Sequence, residues 1–206
     1  MEMAIRRDNL VPGDCISLDQ FESSARGRLP HTFGKESSSM RYVAGLLGID
    51  RSSGYGFLRN QVSLQSGNTV RSMREFEKEA LQSGVKFKKL HADNFPFDSE
   101  EFKAHVQDQP QTSSHDHQNA AIERCIKTIS YLCQSMLLHQ LLHWPAVFDL
   151  AMWPFAMEQA VFLWNHMPNE RNRLTPVELF TSTKLHSYDA LSRARVWGAP
   201  TFVLSP

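Results

Sequence analysis

The sequence predicts an α/β domain: a mixed β-sheet flanked by helices and followed by a helical C-terminal segment. Three observations carry that prediction. The first ninety residues hold several short apolar or alternating runs broken by Gly, Ser and Asp turns. A single helix-period stretch interrupts them, as the crossover of a mixed sheet requires. The second half carries long segments whose apolar residues recur every three or four positions.

Taken in order, residues 1–13 read as a linker ending in the turn signal Val11-Pro12-Gly13. Cys15-Ile16-Ser17-Leu18-Asp19 alternates as a strand does and carries Asp19 near its end. Residues 22–41 are rich in Gly, Ser and Arg without a period, and read as a loop or ragged hairpin. Arg41 to Ile49 and Tyr55 to Val62 flank the turn Asp50-Arg51-Ser52-Ser53-Gly54 and predict an antiparallel hairpin. From Asn68 to Gln82 the spacing of Val70, Met73, Phe76, Ala80 and Leu81 predicts a helix, with Gly84 as its stop. Val85 to Leu90 alternates again and delivers Asp93 just beyond. A short helix is expected over 98–106, opened by Asp98 or Ser99, and residues 107–118 read as a polar loop. Asn119 is the candidate N-cap of a long helix whose stripe is Ile122, Ile126, Ile129, Cys133, Met136 and Leu137. Another helix is expected from about Leu150 to His166, with Pro154 in its first turn and Trp153, Met157, Ala160, Val161 and Trp164 along one side. Arg195 to Leu204 reads as a final strand.

Composition narrows the function classes. The 206 residues include 22 Lys+Arg and 22 Asp+Glu, and 41% are hydrophobic, which excludes a disordered charged tail or a collagenous repeat. No apolar run approaches the ~18 residues of a membrane span, and charges in Met1 to Leu10 occupy the place of a signal peptide's apolar stretch. Three cysteines without a CxxC pair point to a reduced, intracellular setting. Net neutrality argues against a tight, sequence-independent DNA clamp. It conceals an asymmetry, however: residues 1–90 hold 14 basic and 10 acidic side chains, and residues 91–206 hold 8 and 12.

Asp19 and Asp93 each sit at the end of a predicted strand, and Glu123 sits in the first turn of the long helix. If these strands are neighbours and the helix crosses them, three hard oxygen ligands suited to Mg²⁺ or Mn²⁺ converge. The same residues also serve ordinary turns, caps and the helix dipole. Spacing alone leaves both readings open.

Wider patterns bear on that choice. Leu90-His91-Ala92-Asp93-Asn94 and His117-Gln118-Asn119-Ala120-Ala121-Ile122-Glu123-Arg124 resemble the segments that hold the second Asp and the Glu of copia-type retrotransposon integrases. Pro12-Gly13-Asp14 followed by Ser17-Leu18-Asp19 is similar to the segment around their first Asp. Trp153-Pro154, Trp164-Asn165-His166-Met167-Pro168, Leu174-Thr175-Pro176-Val177-Glu178-Leu179-Phe180 and Val196-Trp197-Gly198-Ala199-Pro200 match the same pattern in order. The resemblance implies a ribonuclease H-like catalytic core over residues 14–167, with 168–206 as its C-terminal extension. It implies Asp19, Asp93 and Glu123 as catalytic metal ligands for Mg²⁺ or Mn²⁺, and attack of a DNA 3′-hydroxyl on a target phosphodiester. Asn119, Arg124 and Lys127 then flank the Glu, where Arg124 and Lys127 either contact DNA phosphate or form an ion pair. Implied partners are element and target DNA and a second copy of the chain, with no membrane and no small-molecule cofactor. An active enzyme of this kind would work in the nucleus.

The chain also departs from the pattern. Phe95-Pro96 and Ala120 stand where the family has Gly, and 29 residues separate Asp93 from Glu123, fewer than in the family. The shortfall falls near 107–114, where no apolar run survives, which predicts the loss of an edge strand. Since a ~1 Å misplacement costs ~100-fold in rate, a catalytically inactive remnant is the alternative to a working strand-transferase. Other features have plainer readings. His115-Asp116-His117 reads as a solvated loop rather than a zinc site. His139 and His143 lack the Glu of a metalloprotease helix. Cys125, Cys133 and the Trp153–Trp164 stripe read as core, and Asp50 as a turn residue.

Overall fold

The computed structural model describes residues 10–30, 41–92, 97, 99–107, 112–114, 120–168, 173–184 and 189–199. Five strands form one sheet: β1 (Ile16–Gly27), β2 (Tyr42–Asp50), β3 (Gly56–Gln61), β4 (Lys89–Ala92) and β5 (Thr112–Ser114). Their order is β3-β2-β1-β4-β5. The three N-terminal strands are antiparallel, whereas β4 runs parallel to β1 and β5 parallel to β4. The helices are α1 (Ser66–Gln82), α2 (Glu100–Gln107), α3 (Ala120–His143), α4 (Trp153–His166), α5 (Pro176–Thr181) and α6 (Asp189–Ser192).

Strand alternation divides the core into two layers. Ile16, Leu18, Leu46, Phe57, Leu90 and Ala92 face α1 and α2, whose Val70, Met73, Phe76, Phe102 and Val106 complete the first layer. Phe180 of α5 joins it, stacked on Tyr55 at 4.5 Å. Leu47, Ile49 and Leu58 face the other way, against Ile122, Cys125, Ile129, Cys133 and Leu137 of α3 and Trp153, Met157, Ala160 and Val161 of α4. The buried cysteines and the Trp153 side are therefore core, as their spacing predicts. The 3-10 turns Pro145–Val147 and Leu150–Met152 connect α3 to α4.

Local signals explain where elements stop. Gly84 takes φ +73° after α1, and the Val85 amide returns to the Ala80 carbonyl at 3.0 Å. That closes the helix as a left-handed glycine cap does. It also commits Val85, and the Lys88 amide donates to Gly13 O, so only Lys89–Ala92 remain to form β4. α5 carries a complete capping box: Thr175 Oγ1 accepts from the Glu178 amide, and Glu178 accepts from the Thr175 amide at 2.8 Å.

Three expectations are corrected. The segment read as a loop from residue 22 continues β1 to Gly27, because Phe21 and Ala25 still pack on the second layer while Glu22, Ser24 and Arg26 face solvent. The stretch expected to lose its edge strand keeps one. Thr112, Ser113 and Ser114 pair with Lys89, Leu90 and His91, because strand pairing uses backbone groups and tolerates polar side chains at a sheet edge. No strand forms over Arg195–Ala199. Gly198 at φ +75° and the Ala199 amide bonded to Val196 O make a turn there instead.

Candidate active site

β1 pairs with β4 from Ile16 with Leu90 to Leu18 with Ala92, the last described residue of that strand, and runs on through Asp19 to Gly27. Asp19 is thus not at the end of its own strand; it follows directly on the Leu18–Ala92 pair. Ile16 and Leu18 point into the first core layer, so Ser17 and Asp19 face α3 by alternation. Leu90 and Ala92 likewise place His91 on the α3 side, in register with Ser17.

That face is apolar elsewhere but polar here. Ser17 is fully buried and His91 is buried beside it, although water or a hydrogen bond normally accompanies such groups. The Ser17 hydroxyl has no hydrogen-bond partner among the described residues. The Asp19 carboxylate accepts from the Gln20 amide at 2.8 Å. On the opposite face the Gln20 side chain donates to Gln61, whose own amide donates to Ser72 of α1 at 3.0 Å. The residue after Asp19 is therefore anchored from β1 to α1. Sequence reasoning passed over Ser17, Gln20 and His91; the available signal was the i, i+2 recurrence of polar residues in strands otherwise buried on both faces.

α3 packs across β1 and β2. Ile122 is completely buried, which seats the first turn of the helix on the sheet, while the next residue, Glu123, is exposed. No hydrogen bond or ion pair engages the Glu123 carboxylate among the described residues. Arg124 donates its Nε to the Ala120 carbonyl at 3.0 Å, so of its two expected roles the ion pair with Glu123 is not formed. Lys127 lies over the Tyr131 ring at 5.8 Å and forms no salt bridge with Glu123. Both cations remain exposed beside the acid. Asp93, Asn119 and the His115-Asp116-His117 stretch lie outside the described residues.

The structure thus brings together the elements that bear Asp19 and Glu123. Carboxylate oxygens are hard donors of the kind Mg²⁺ or Mn²⁺ takes, so these two side chains are of the right chemistry for such an ion. Among the described residues, no three His, Cys, Asp or Glu side chains cluster as a metal site. No described helix is long and apolar enough to cross a membrane.

Two other features lie apart from this corner. A cavity of about 560 Å³ lies at the β3 edge, lined by Arg59, Asn60, Arg71, Glu75 and Glu158. Burial pushes the Glu158 carboxyl above its ordinary range, opposed by the hydrogen bond from Asn60. Asp50, at the far end of β2, is a turn residue as expected: its fully buried carboxylate accepts from Gly13, from the Ser53 amide and from the Ser53 hydroxyl.

No protein-family model and no curated protein matches the chain. Solved structures do. The magnesium-bound HTLV-2 integrase catalytic core domain superposes with TM-score 0.59 at 17% identity, over 83% of this chain and 98% of that one. The BIV integrase catalytic core domain gives 0.57 at 11%, over 82% and 95%. A chain of the simian T-cell lymphotropic virus intasome in complex with the PP2A regulatory subunit B56 gamma gives 0.60 at 15%, over 98% of this chain and 63% of that one. The chain has the fold of a retroviral integrase catalytic core.

Proposed function

We propose that the chain is the catalytic core of a copia-type retrotransposon integrase, which joins element DNA ends to target DNA. The observation that carries this reading is the polar break in the α3-facing side of the sheet. Asp19 follows directly on the Leu18–Ala92 pair of β1 and β4, and α3, whose first turn bears Glu123, packs across β1. Asp93 follows Ala92 in sequence as Asp19 follows Leu18. The integrase-core fold and the order of the sequence motifs support the same assignment.

In this reading Asp19, Asp93 and Glu123 hold Mg²⁺ or Mn²⁺. When bound, a pair of such ions activates the attacking oxygen and stabilises the leaving one. The 3′-hydroxyl oxygen of an element end forms a new bond to a target phosphorus. The phosphorus–oxygen bond to the target strand's 3′ oxygen breaks, and the proton lost by the nucleophile is balanced by the one taken up at the leaving oxygen. The backbone hydrogen bond from Gln20 fixes one Asp19 oxygen, and the Gln20–Gln61–Ser72 chain keeps that peptide in place. Arg124 and Lys127 supply exposed cations, and Asn119 a polar group, for DNA phosphates beside Glu123. The site of action is the nucleus.

One observation favours a second reading, an inactive remnant that keeps the fold. Phe95-Pro96 and the short Asp93–Glu123 interval alter the connections that must bring the second and third acids to Asp19. Strand transfer on labelled DNA ends with Mg²⁺ or Mn²⁺ separates the two. Joined product that disappears in Asp93→Asn and Asp19→Asn supports the enzyme. Product that survives both substitutions overturns the triad, and a folded chain without product establishes the remnant.

A further inference from the structure

The last turns of α3 hold two histidines that the proposed chemistry does not use. His139 and His143 are four residues apart, so the helix sets them one above the other on the same face. Their ring centroids lie 4.2 Å apart with the planes 33° from parallel, and Trp144 meets both rings, at 5.5 and 5.9 Å. His105 and His166 each give a ring nitrogen to a partner, the Glu77 carboxylate and the Phe162 carbonyl. The Nδ1 of His139 is shut off from solvent and has no hydrogen-bond partner among the described residues, an uncommon state for a buried polar atom. His143 is exposed. The absence of a Glu between the two rules out a metalloprotease helix but not coordination itself.

We infer that His139 and His143 form a two-histidine chelate for a divalent transition metal of the Zn²⁺ and Ni²⁺ class, distinct from the carboxylate site. Imidazole suits these ions, whereas Mg²⁺ takes oxygen donors. A metal–nitrogen bond is ~2.0–2.1 Å and a ring nitrogen sits ~1.2 Å from its centroid, so tetrahedral coordination sets the two centroids about 5 Å apart. The observed pair reaches that arrangement with a ring movement of about 1 Å. The local charge also favours a cation. α3 ends at His143, with Pro145 opening the next turn, and the C-terminus of a helix carries partial negative charge. The sequence has no Lys or Arg between Lys127 and Arg171, and Arg28, which reaches Asp149 in the turn that follows, is paired there at 2.8 Å. Two protein donors leave the other coordination positions to water. His139 follows Glu123 by 16 residues, ~24 Å along the helix axis, so the site stands independently of the catalytic reading.

Titration of the whole, untagged chain with Ni²⁺, read by tryptophan fluorescence, tests the assignment, because a paramagnetic ion held between the rings quenches Trp144 beside them. Half-quenching is expected below about 100 µM Ni²⁺, and most of the quenching disappears in Trp144→Phe. Zn²⁺ has a filled d shell and does not quench, so it restores the fluorescence by competition, whereas about a hundredfold excess of Mg²⁺ does not. His143→Gln changes an exposed side chain, keeps the circular dichroism and melting curve, and raises the half-quenching concentration at least tenfold. His139→Gln has the same effect on quenching. Quenching that survives Trp144→Phe or both histidine substitutions places the metal elsewhere and overturns the proposal. Displacement of Ni²⁺ by Mg²⁺ as readily as by Zn²⁺ assigns an oxygen-donor site and overturns it too, as does an absence of quenching up to about 1 mM Ni²⁺.

Discussion

Along the first four residues of β1 the fold treats two carboxylates in opposite ways, a closed one opposite Ile16 and a more open one at Asp19. At the leading end Asp50 is fully buried and accepts three hydrogen bonds, two from backbone amides and one from the Ser53 hydroxyl. Gly13, one of the donors, turns at φ +88°, and an added Cβ there would lie 2.3 Å from the Lys86 carbonyl. Loop, hairpin and the approach to β4 are thereby tied at one acid. Three residues further along β1, Asp19 is half-buried beside Ser17, whose hydroxyl has no hydrogen-bond partner among the described residues, and Glu123 is exposed on α3. Buried polar groups are normally satisfied because an unmade hydrogen bond costs ~1–3 kcal/mol. The contrast separates an acid committed to holding the fold from two that lie nearer to solvent.

Breaking the open site produces the largest effect, and it falls on activity. Asp19→Asn keeps an oxygen to accept the Gln20 amide but lowers the affinity for a divalent cation. Strand transfer falls at least ~100-fold while the melting temperature stays nearly unchanged. Glu123→Gln does the same, with still less effect on stability, because its side chain is exposed. Parallel gel assays and melting curves check both. A large loss of stability in either variant erases the distinction between the two sites.

Breaking the closed site reverses the balance. Asp50→Ala leaves three buried donors without an acceptor and costs about 3 kcal/mol of unfolding free energy, read from urea titration. A smaller version of the same effect is available at α5. Thr175→Ala removes the side-chain half of its capping box, leaving the Thr175 amide still able to donate to Glu178, and costs about 1 kcal/mol. If Asp50→Ala lowers stability no more than Thr175→Ala does, the acid is an ordinary turn residue and not the tie between β1, the hairpin and the approach to β4.

The sequence reveals these two sites unequally. Alternation and turn chemistry expose the hairpin around Asp50, and three-to-four spacing exposes α1, α3 and α4, because each is written in local periodicity. β5 escapes that logic: Thr112-Ser113-Ser114 has no apolar signature, and its strand exists only through backbone pairing with β4. The reach of β1 past Asp19 escapes it too, since its support comes from Trp153, which donates to the Ala25 carbonyl across 128 residues. At the site, motif order singles out Asp19 and Glu123. Gln20 is invisible without Gln61 and Ser72, which only the fold brings beside it.

The smallest predicted effect decides whether the open site is soft or merely uncovered. Cys125 lies two residues beyond Glu123 but on the buried side of α3, and burial pushes its thiol up to about 12 from an ordinary 9.0. Burial raises Cys133 to about 11. Because the folded values are raised, both thiols contribute their full share of stability below pH 9. That share shrinks as the pH rises from about 9 through the folded values, since the unfolded chain releases its protons first. Between pH 9 and 10 the loss is on the order of 1 kcal/mol, visible as a falling urea midpoint that Cys125→Ala with Cys133→Ala flattens. Over the same range Cys125 resists alkylation in the folded chain. If it is alkylated at the rate of an unfolded cysteine while the rest of the chain stays folded, the first turn of α3 opens on its own, and Glu123 has to be brought to Asp19 by ligand. If it is protected, the first turns of the helix hold Glu123 against a fixed sheet before any metal or DNA arrives.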